Sequence, residues 1–320
     1  MIAAIGAFDG FHNGHQALLR IAETRAGESG MGWGIITFDH PPESLLVSRK
    51  FKSLFTSRER LILEKFFNIP TSIRLAFTKE MSQMTPIQFL GYISGEFEVR
   101  GLVVGEEFRF GRERSGTAEL LASESRERGW IFDAIPLLRD AEGSVISSTA
   151  IREAVAAGDM VRAWEMQGYP FFCVNHVIHG NERGRDMGYP TANLDIGHEK
   201  ASMRHGVYAT LVFALGKWYI GAANVGLNPT FDDVEGIRFE VNLLDFCDDL
   251  YGQEIAVFVI EHIRDEIRFD GPGSLKEQMR DDARVIRDIG GCAMEERFAL
   301  WEAFGKAMES LNNQQTGAME

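Results

Sequence analysis

The chain has 320 residues, 45% apolar and 25% charged, with a formal net charge of −14 and three cysteines. That is ordinary globular composition, long enough for two domains that each bury a core, and the acidic balance opposes non-specific nucleic-acid binding. Cys173, Cys247 and Cys292 are too scattered for a disulfide framework or zinc site, and neither a membrane-length apolar run nor a signal-peptide pattern occurs, which points to a cytoplasmic protein with no membrane partner.

From the start to about Gly168, strand-like runs alternate with helix-like ones. Apolar segments at Ala3–Phe8, Gly34–Phe38, Ile73–Phe77, Leu102–Val104 and Trp130–Ile135 are separated by amphipathic ones. The latter lie at His15–Arg25, Arg58–Phe67, Pro86–Phe97 and Ala118–Arg128, with two more near Thr149–Ala157 and Met160–Gln167. The alternation predicts a Rossmann-like α/β domain with a doubly wound parallel sheet over 1–168. Gly30-Met31-Gly32-Trp33-Gly34 precedes a strand instead of following one, so it reads as a turn and not a dinucleotide fingerprint.

The first crossover carries the most informative residues, Gly6-Ala7-Phe8-Asp9-Gly10-Phe11-His12-Asn13-Gly14-His15. Glycines let the backbone turn tightly, and the free N–H groups of the helix that follows attract anions. His12 and His15 add imidazole donors at the same corner. A second phosphate signal, Ser147-Ser148-Thr149-Ala150-Ile151-Arg152, brings hydroxyls into a helix start with an arginine one turn on. Taken alone, the hydroxyls are N-caps; beside the histidine corner, Ser148, Thr149 and Arg152 become clamps for a triphosphate tail.

After Gly168 the rhythm changes to strands without intervening helices, at Phe172–His179, Gly206–Leu215, Trp218–Val225, Phe239–Phe246 and Ile255–His262. Five or six such strands predict a small antiparallel barrel, followed by a charged helix over Ser274–Asp288. The domain reading is therefore 1–168, a barrel with its helix over 169–290, and a helical extension with a polar tail over 291–320. Gly180, Arg183 and Arg185 lie in a glycine-rich loop able to close over phosphates, and Thr191 and Asn193 offer hard oxygen ligands for magnesium. As an isolated string this loop is equally a surface turn. Glu240 alternates with apolar neighbours; one register turns it inward with Asn242 and Leu244 as a proton acceptor, the other leaves it a solvated strand charge. His176 and His179, three apart on a strand, fall on opposite faces and are not joint metal ligands. No G-x-x-x-x-G-K-[ST] occurs, which excludes a P-loop kinase by its signature.

Taken together, GAFDGFHNGH at 6–15, VGEEFRFG at 104–111, SSTAIR at 147–152, GRDMGYPTANL at 184–194, NPTF at 228–231, FEVNLLDF at 239–246 and IRDEIRF at 263–269 resemble the bifunctional bacterial FAD synthetases. Those enzymes join an FMN adenylyltransferase domain to a riboflavin kinase domain. The resemblance implies that Gly6, Phe8, Asp9 and Gly14 help bind ATP, and that His12 and His15 stabilise charge on its α-phosphate. Ser148, Thr149 and Arg152 would hold pyrophosphate, and Glu107 would contact flavin. In the second domain it implies that Thr191 and Asn193 position Mg²⁺ and ATP, that Gly180, Arg183 and Arg185 meet phosphates, that Glu240 is the base toward riboflavin, and that Arg264 lies near the flavin ring. Riboflavin, FMN and ATP are then the partners.

The chain departs from the family at Phe38-Asp39-His40-Pro41-Pro42, where proline and histidine are exchanged, at Glu107, where Asp or Asn is usual, and at Asn175, which replaces a glycine. The first two leave open a riboflavin kinase with an inert nucleotidyltransferase domain. A non-catalytic flavin-binding regulatory protein is the remaining alternative.

Overall fold

The computed structural model describes residues 1–39, 52–179, 191–227 and 237–316. Contacts divide the chain into two units. One holds Met1–Phe51 and Phe67–Ser148; the other holds Lys52–Phe66 and Thr149–Glu320. The division thus falls at Ser148 instead of near Gly168, and a short segment from the first half belongs to the second unit.

In chain order the elements up to Ser148 are β1 (Ile2–Ile5), α1 (Asn13–Ser29), β2 (Trp33–Phe38), α2 (Ser57–Phe66), β3 (Ser72–Leu75), α3 (Lys79–Ser82), α4 (Pro86–Glu96), β4 (Gly101–Gly105), α5 (Ala118–Arg128) and β5 (Ile131–Ile135). All but α2 build the first unit. Its five strands are parallel, in the order β3-β2-β1-β4-β5. Ile2, Ala3, Ala4 and Ile5 are at most 1% exposed, the continuous apolar run of a strand covered on both faces. The crossovers reverse direction between β1 and β4, and ligands of such sheets lie beyond the strand carboxyl ends at that point. α1 stops at Gly30, whose φ of 68° is left-handed, so the glycine tract ends a helix and leads into β2 as a turn. Thr85 and Gln88 cap the start of α4 reciprocally, with Pro86 in its first turn.

From Ser148 on, the chain forms α6 (Ser148–Ala157), α7 (Met160–Gln167), β6 (Phe172–His176), β7 (Ala192–Asp195), β8 (Gly206–Ala214), β9 (Lys217–Leu227), β10 (Ile237–Leu243), β11 (Glu254–Arg264), α8 (Pro272–Glu296) and α9 (Phe298–Thr316). The antiparallel sheet runs β6-β11-β8-β9-β10-β7. Its edges meet where the Ile178 N–H donates to the Asn193 carbonyl at 2.9 Å, which nearly closes the barrel. Inside, a Cβ on Gly221 would come within 2.6 Å of Thr210 Oγ1 and 3.1 Å of Val241. The barrel is too tight there for a side chain. Ala283 and Ile286 of α8 pack on Ala209 and Leu244 of the outer face. Around α9, Phe304 meets Phe258 at 4.8 Å and stacks on Phe66 at 4.0 Å and 10°. The charged helix expected over Ser274–Asp288 is longer than expected and is followed by a second one. Asn175 sits within β6 and has no positive φ, so the family glycine is not needed for backbone freedom.

The helix expected at 58–67 forms, but in the second unit. Glu59, 1% exposed, accepts from the Val174 N–H at 2.8 Å and pairs with the buried Lys200. Lys200 Nζ also lies 4.7 Å from the ring centres of both Phe55 and Phe171, a desolvated cation–π arrangement. Arg58 grips both carboxylate oxygens of Glu254 at 2.7 and 2.9 Å. These partners are remote in sequence, so no local pattern reveals where α2 docks.

Candidate active sites

In the first unit, β1 ends at Ile5, three residues short of the expected Phe8. The backbone turns through left-handed conformations at Phe8 (φ 48°), Gly10 (φ 90°) and Phe11 (φ 35°). Both phenylalanines are fully buried and their rings stack at 5.4 Å. Their burial holds backbone that non-glycine residues otherwise avoid. His12 then caps α1, its Nδ1 accepting from the His15 N–H at 3.4 Å. With Nδ1 an acceptor, the neutral ring carries its proton on Nε2. Burial pushes the His12 pKa down to about 4, so this ring is a neutral donor at physiological pH. His15 stacks on it at 3.8 Å and 22°, with Phe8 5.0 Å away on its ring. A Cβ on Gly14 would sit 3.0 Å from His12 Cε1 and 3.1 Å from Nδ1. Glycine there is what lets the imidazole settle over the helix start.

A cavity of about 710 Å³ opens at this corner, within the first unit. Gly6, His12, Gly14, His15 and Glu107 line it, together with Phe38, Phe108 and the turn Gly111–Arg114. Phe8 and Asp9 do not; Phe8 lies beneath His15, and Asp9, 4% exposed, turns its carbonyl to accept from Ser148 Oγ at 2.6 Å. That bond ties the Ser148 hydroxyl to the histidine corner. One residue on, Thr149 Oγ1 accepts from Arg152 Nη2 at 3.1 Å. The sequence signals missed the apolar wall formed by Phe77, Met81 and Phe89. No motif marks it, because these residues look like ordinary core positions.

In the second unit, register settles the orientation of Glu240. Residue 240 pairs with Asn193 on β7 and Asn224 on β9, so the three side chains share one face. Phe239, Val241 and Leu243, at most 5% exposed, occupy the other face, which fills the barrel. Glu240 therefore points away from the barrel interior, correcting the inward orientation, and joins the face that α8 covers at Ala209 and Leu244. Its association with Asn242 and Leu244 holds. Asn193 Nδ2 donates to the Thr191 carbonyl at 3.4 Å, turning its amide oxygen the other way. Thr191 and Asn193 line a cleft of about 250 Å³ with Asp248 and Asp249. Neutral hard oxygens in this number fit a magnesium ion that keeps waters and phosphate oxygens in its shell. Arg264 Nε and Nη2 bond the Asp282 carboxylate at 2.6–3.0 Å, and Gln278 donates to the same carboxylate at 2.9 Å. The guanidinium lies 5.9 Å from the Phe269 ring. His179 leaves the strand and stacks on Tyr251 at 3.9 Å. Gly180, Arg183 and Arg185 lie outside the described residues, as do His40, Pro41 and Pro42 of the exchanged stretch.

A parallel sheet with paired histidines at its switch point, joined in one chain to an antiparallel barrel with a carboxylate among amides, defines a two-site phosphate-transferring enzyme. Comparisons with known proteins agree half by half. The model of the FAD synthetase family matches residues 1–150 and that of the riboflavin kinase family matches 167–290. A bifunctional riboflavin kinase/FMN adenylyltransferase from Listeria monocytogenes is 33% identical over 291 residues, covering 89% of this chain and 91% of the relative. Its Escherichia coli K12 counterpart is 35% identical over 296 residues, covering 91% and 93%. The chain belongs to the family of bifunctional riboflavin kinase/FMN adenylyltransferases. A crystal structure described as a macrolide-efflux protein from Streptococcus pneumoniae superposes with a TM-score of 0.81 at 33% identity, covering 89% of this chain and 93% of that one. Among the residues described here, no helix is long and apolar enough to cross a membrane.

Proposed function

We propose that this chain phosphorylates riboflavin to FMN and adenylylates FMN to FAD, using ATP at both steps. One observation carries the reading: a stacked histidine pair at an anion-binding helix start and a Glu240–Asn193 pair on a barrel face occur in the same chain. In the first unit, the Nε2–H of His12, the His15 imidazole and the α1 N–H groups stabilise charge gathering on the α-phosphate of ATP as the FMN phosphate attacks it. Ser148 holds the departing pyrophosphate, and Glu107 meets the flavin. In the second unit Glu240 takes the proton of the riboflavin ribityl hydroxyl, and Arg264, braced by Asp282, sits beside the flavin ring. Thr191 and Asn193 hold Mg²⁺, which when bound neutralises phosphate charge. Catalysis in both units is mainly positioning and electrostatic stabilisation. The enzyme works in the cytoplasm.

Chromatography of a reaction containing riboflavin, ATP and Mg²⁺ tests this. FAD is the expected product. FMN alone marks a riboflavin kinase with an inert first domain, and neither product marks a flavin-binding protein without catalysis.

A further inference from the structure

Two cations on the wall of the first unit's cavity have no part in the chemistry described so far. Arg112 and Arg114 flank Glu113 in a single 3-10 turn, and all three line the cavity that holds His12 and His15. Two other arginines of this unit are held by carboxylates, Arg25 by Asp133 and Arg128 by Glu124. Among the described residues, the guanidinium groups of Arg112 and Arg114 have neither an ion pair nor a hydrogen bond. In a chain with 47 acidic side chains against 33 basic ones, two unpaired arginines side by side on a cavity wall are a site for an anion that arrives from outside.

The turn is built to hold them still. Phe110 and Gly116 exchange backbone hydrogen bonds at 3.2 and 2.8 Å across its base, and the Arg112 N–H donates to the Met84 carbonyl at 2.7 Å. Gly111 has φ 70°, and a Cβ there would come 2.8 Å from the Pro86 nitrogen; Glu113 and Arg114 are also left-handed, at 57° and 58°. Such backbone persists only when its surroundings enforce it.

We propose that Arg112 and Arg114 form the subsite for the terminal phosphate of FMN and thereby let the adenylyl-transfer site reject riboflavin. This rests on the function proposed above. The turn continues directly from Phe108 and Phe110, whose rings stack at 5.8 Å and 14° on the same wall. Aromatic faces followed at once by unpaired guanidinium groups suit a ligand with a flat apolar ring and a dianionic tail. The triphosphate of ATP has its own donors at the α1 start and Ser148. Glu107 and Glu113 are the acidic groups on this wall, against Arg109, Arg112 and Arg114. Arg109 is engaged with the Phe108 carbonyl at 3.3 Å, which leaves the other two for the ligand.

The test is the double variant Arg112→Ala/Arg114→Ala, assayed for FAD formation from FMN with riboflavin as a competitive inhibitor. KM for FMN should rise about ten- to hundredfold, with kcat and KM for ATP within about threefold of the parent, the pattern of lost uniform binding. The inhibition constant of riboflavin should stay put, so that the preference for FMN over riboflavin collapses. Lysine at both positions should restore part of it. FMN formation from riboflavin, made in the other unit, should be unchanged, and the retained kcat and KM for ATP report that the first unit is folded. If the parent makes FAD and the variant keeps its KM for FMN, or loses ATP affinity instead, the subsite is wrong. Failure of the parent itself to make FAD overturns the functional reading and the subsite with it.

Discussion

Glu59 and Lys200, 141 positions apart in the chain, meet as an ion pair with both side chains about 1% exposed. Such a pair contributes little beyond what a well-packed apolar substitute would give, yet removing one partner strands a buried charge, at a cost of roughly 3–5 kcal/mol. Lys200→Met should destabilise the second unit by about that amount. Glu59→Gln with Lys200→Met should lose less, because the amide oxygen can still accept from Val174 while no charge is left unpaired. Urea unfolding followed by tryptophan fluorescence reads this directly, since Trp164, Trp218 and Trp301 all lie in that unit. Equal losses in the single and double variants would mean the pair is not coupled.

His12 makes the stability of the first unit depend on pH. Its pKa falls from 6.5 to about 4 on folding because burial disfavours the charged ring. Between these values the unfolded chain holds a proton that the folded one does not, so the stabilisation is fully present above the unfolded pKa and is lost as pH falls toward the folded one. Going from about pH 7 to about pH 5 should cost on the order of 2 kcal/mol from this ring alone. His12→Gln should flatten that part of the profile. A variant whose urea midpoints track the parent at both pH values would show that His12 is not the group responsible.

Replacing either key side chain should separate the two chemistries. His15→Ala should lower FAD formation by roughly two to three orders of magnitude, the scale for removing one charge-stabilising donor, with FMN formation intact. Glu240→Gln should do the opposite, slowing FMN formation by about 10²- to 10⁴-fold while riboflavin still binds and supplied FMN is still converted. Loss of both activities in a folded His15→Ala protein would remove the assignment.

Gly14→Ala probes the same corner without touching a functional group. The added methyl would press on the His12 ring at 3.0–3.1 Å, and because the ring is held against His15 it must shift with it. FAD formation should drop about ten- to a hundredfold from misplacement alone. Initial rates with FMN and ATP measure it, and an unchanged rate would show that the ring has room to give.

The alternation of apolar strands and amphipathic helices was enough to place the parallel sheet, and the glycines around His12 and His15 marked its switch point. Glycine and histidine signal local backbone and local chemistry, which short stretches of sequence encode. β7 was not legible as a strand, since four residues directly after the proline and threonine of the magnesium motif offer too little alternation to read. α2 was legible as a helix but not in its placement. Its buried Glu59, Arg60 and Glu64 look like a solvent face until the distant partners of Glu59 are known. Glu240 showed its two possible faces in the sequence, and only pairing with Asn193 and Asn224 chose between them. Arg112 and Arg114 carried no signal in the sequence, because a lack of partners is visible only in three dimensions.

The excursion of α2 also sets a timetable for synthesis. Glu59 leaves the ribosome 115 residues before Val174 and 141 before Lys200, an interval on the order of ten seconds at common translation rates. During it, β3, β4 and β5 emerge and can complete the first sheet around a looped-out helix whose Ile62, Leu63 and Phe66 have nothing to pack on. The nascent chain therefore carries an unshielded apolar helix through much of its own elongation. Because Phe66 stacks on Phe304 of α9, that exposure ends only when the last helix has emerged, making the end of the message the stretch whose delay would cost this protein most.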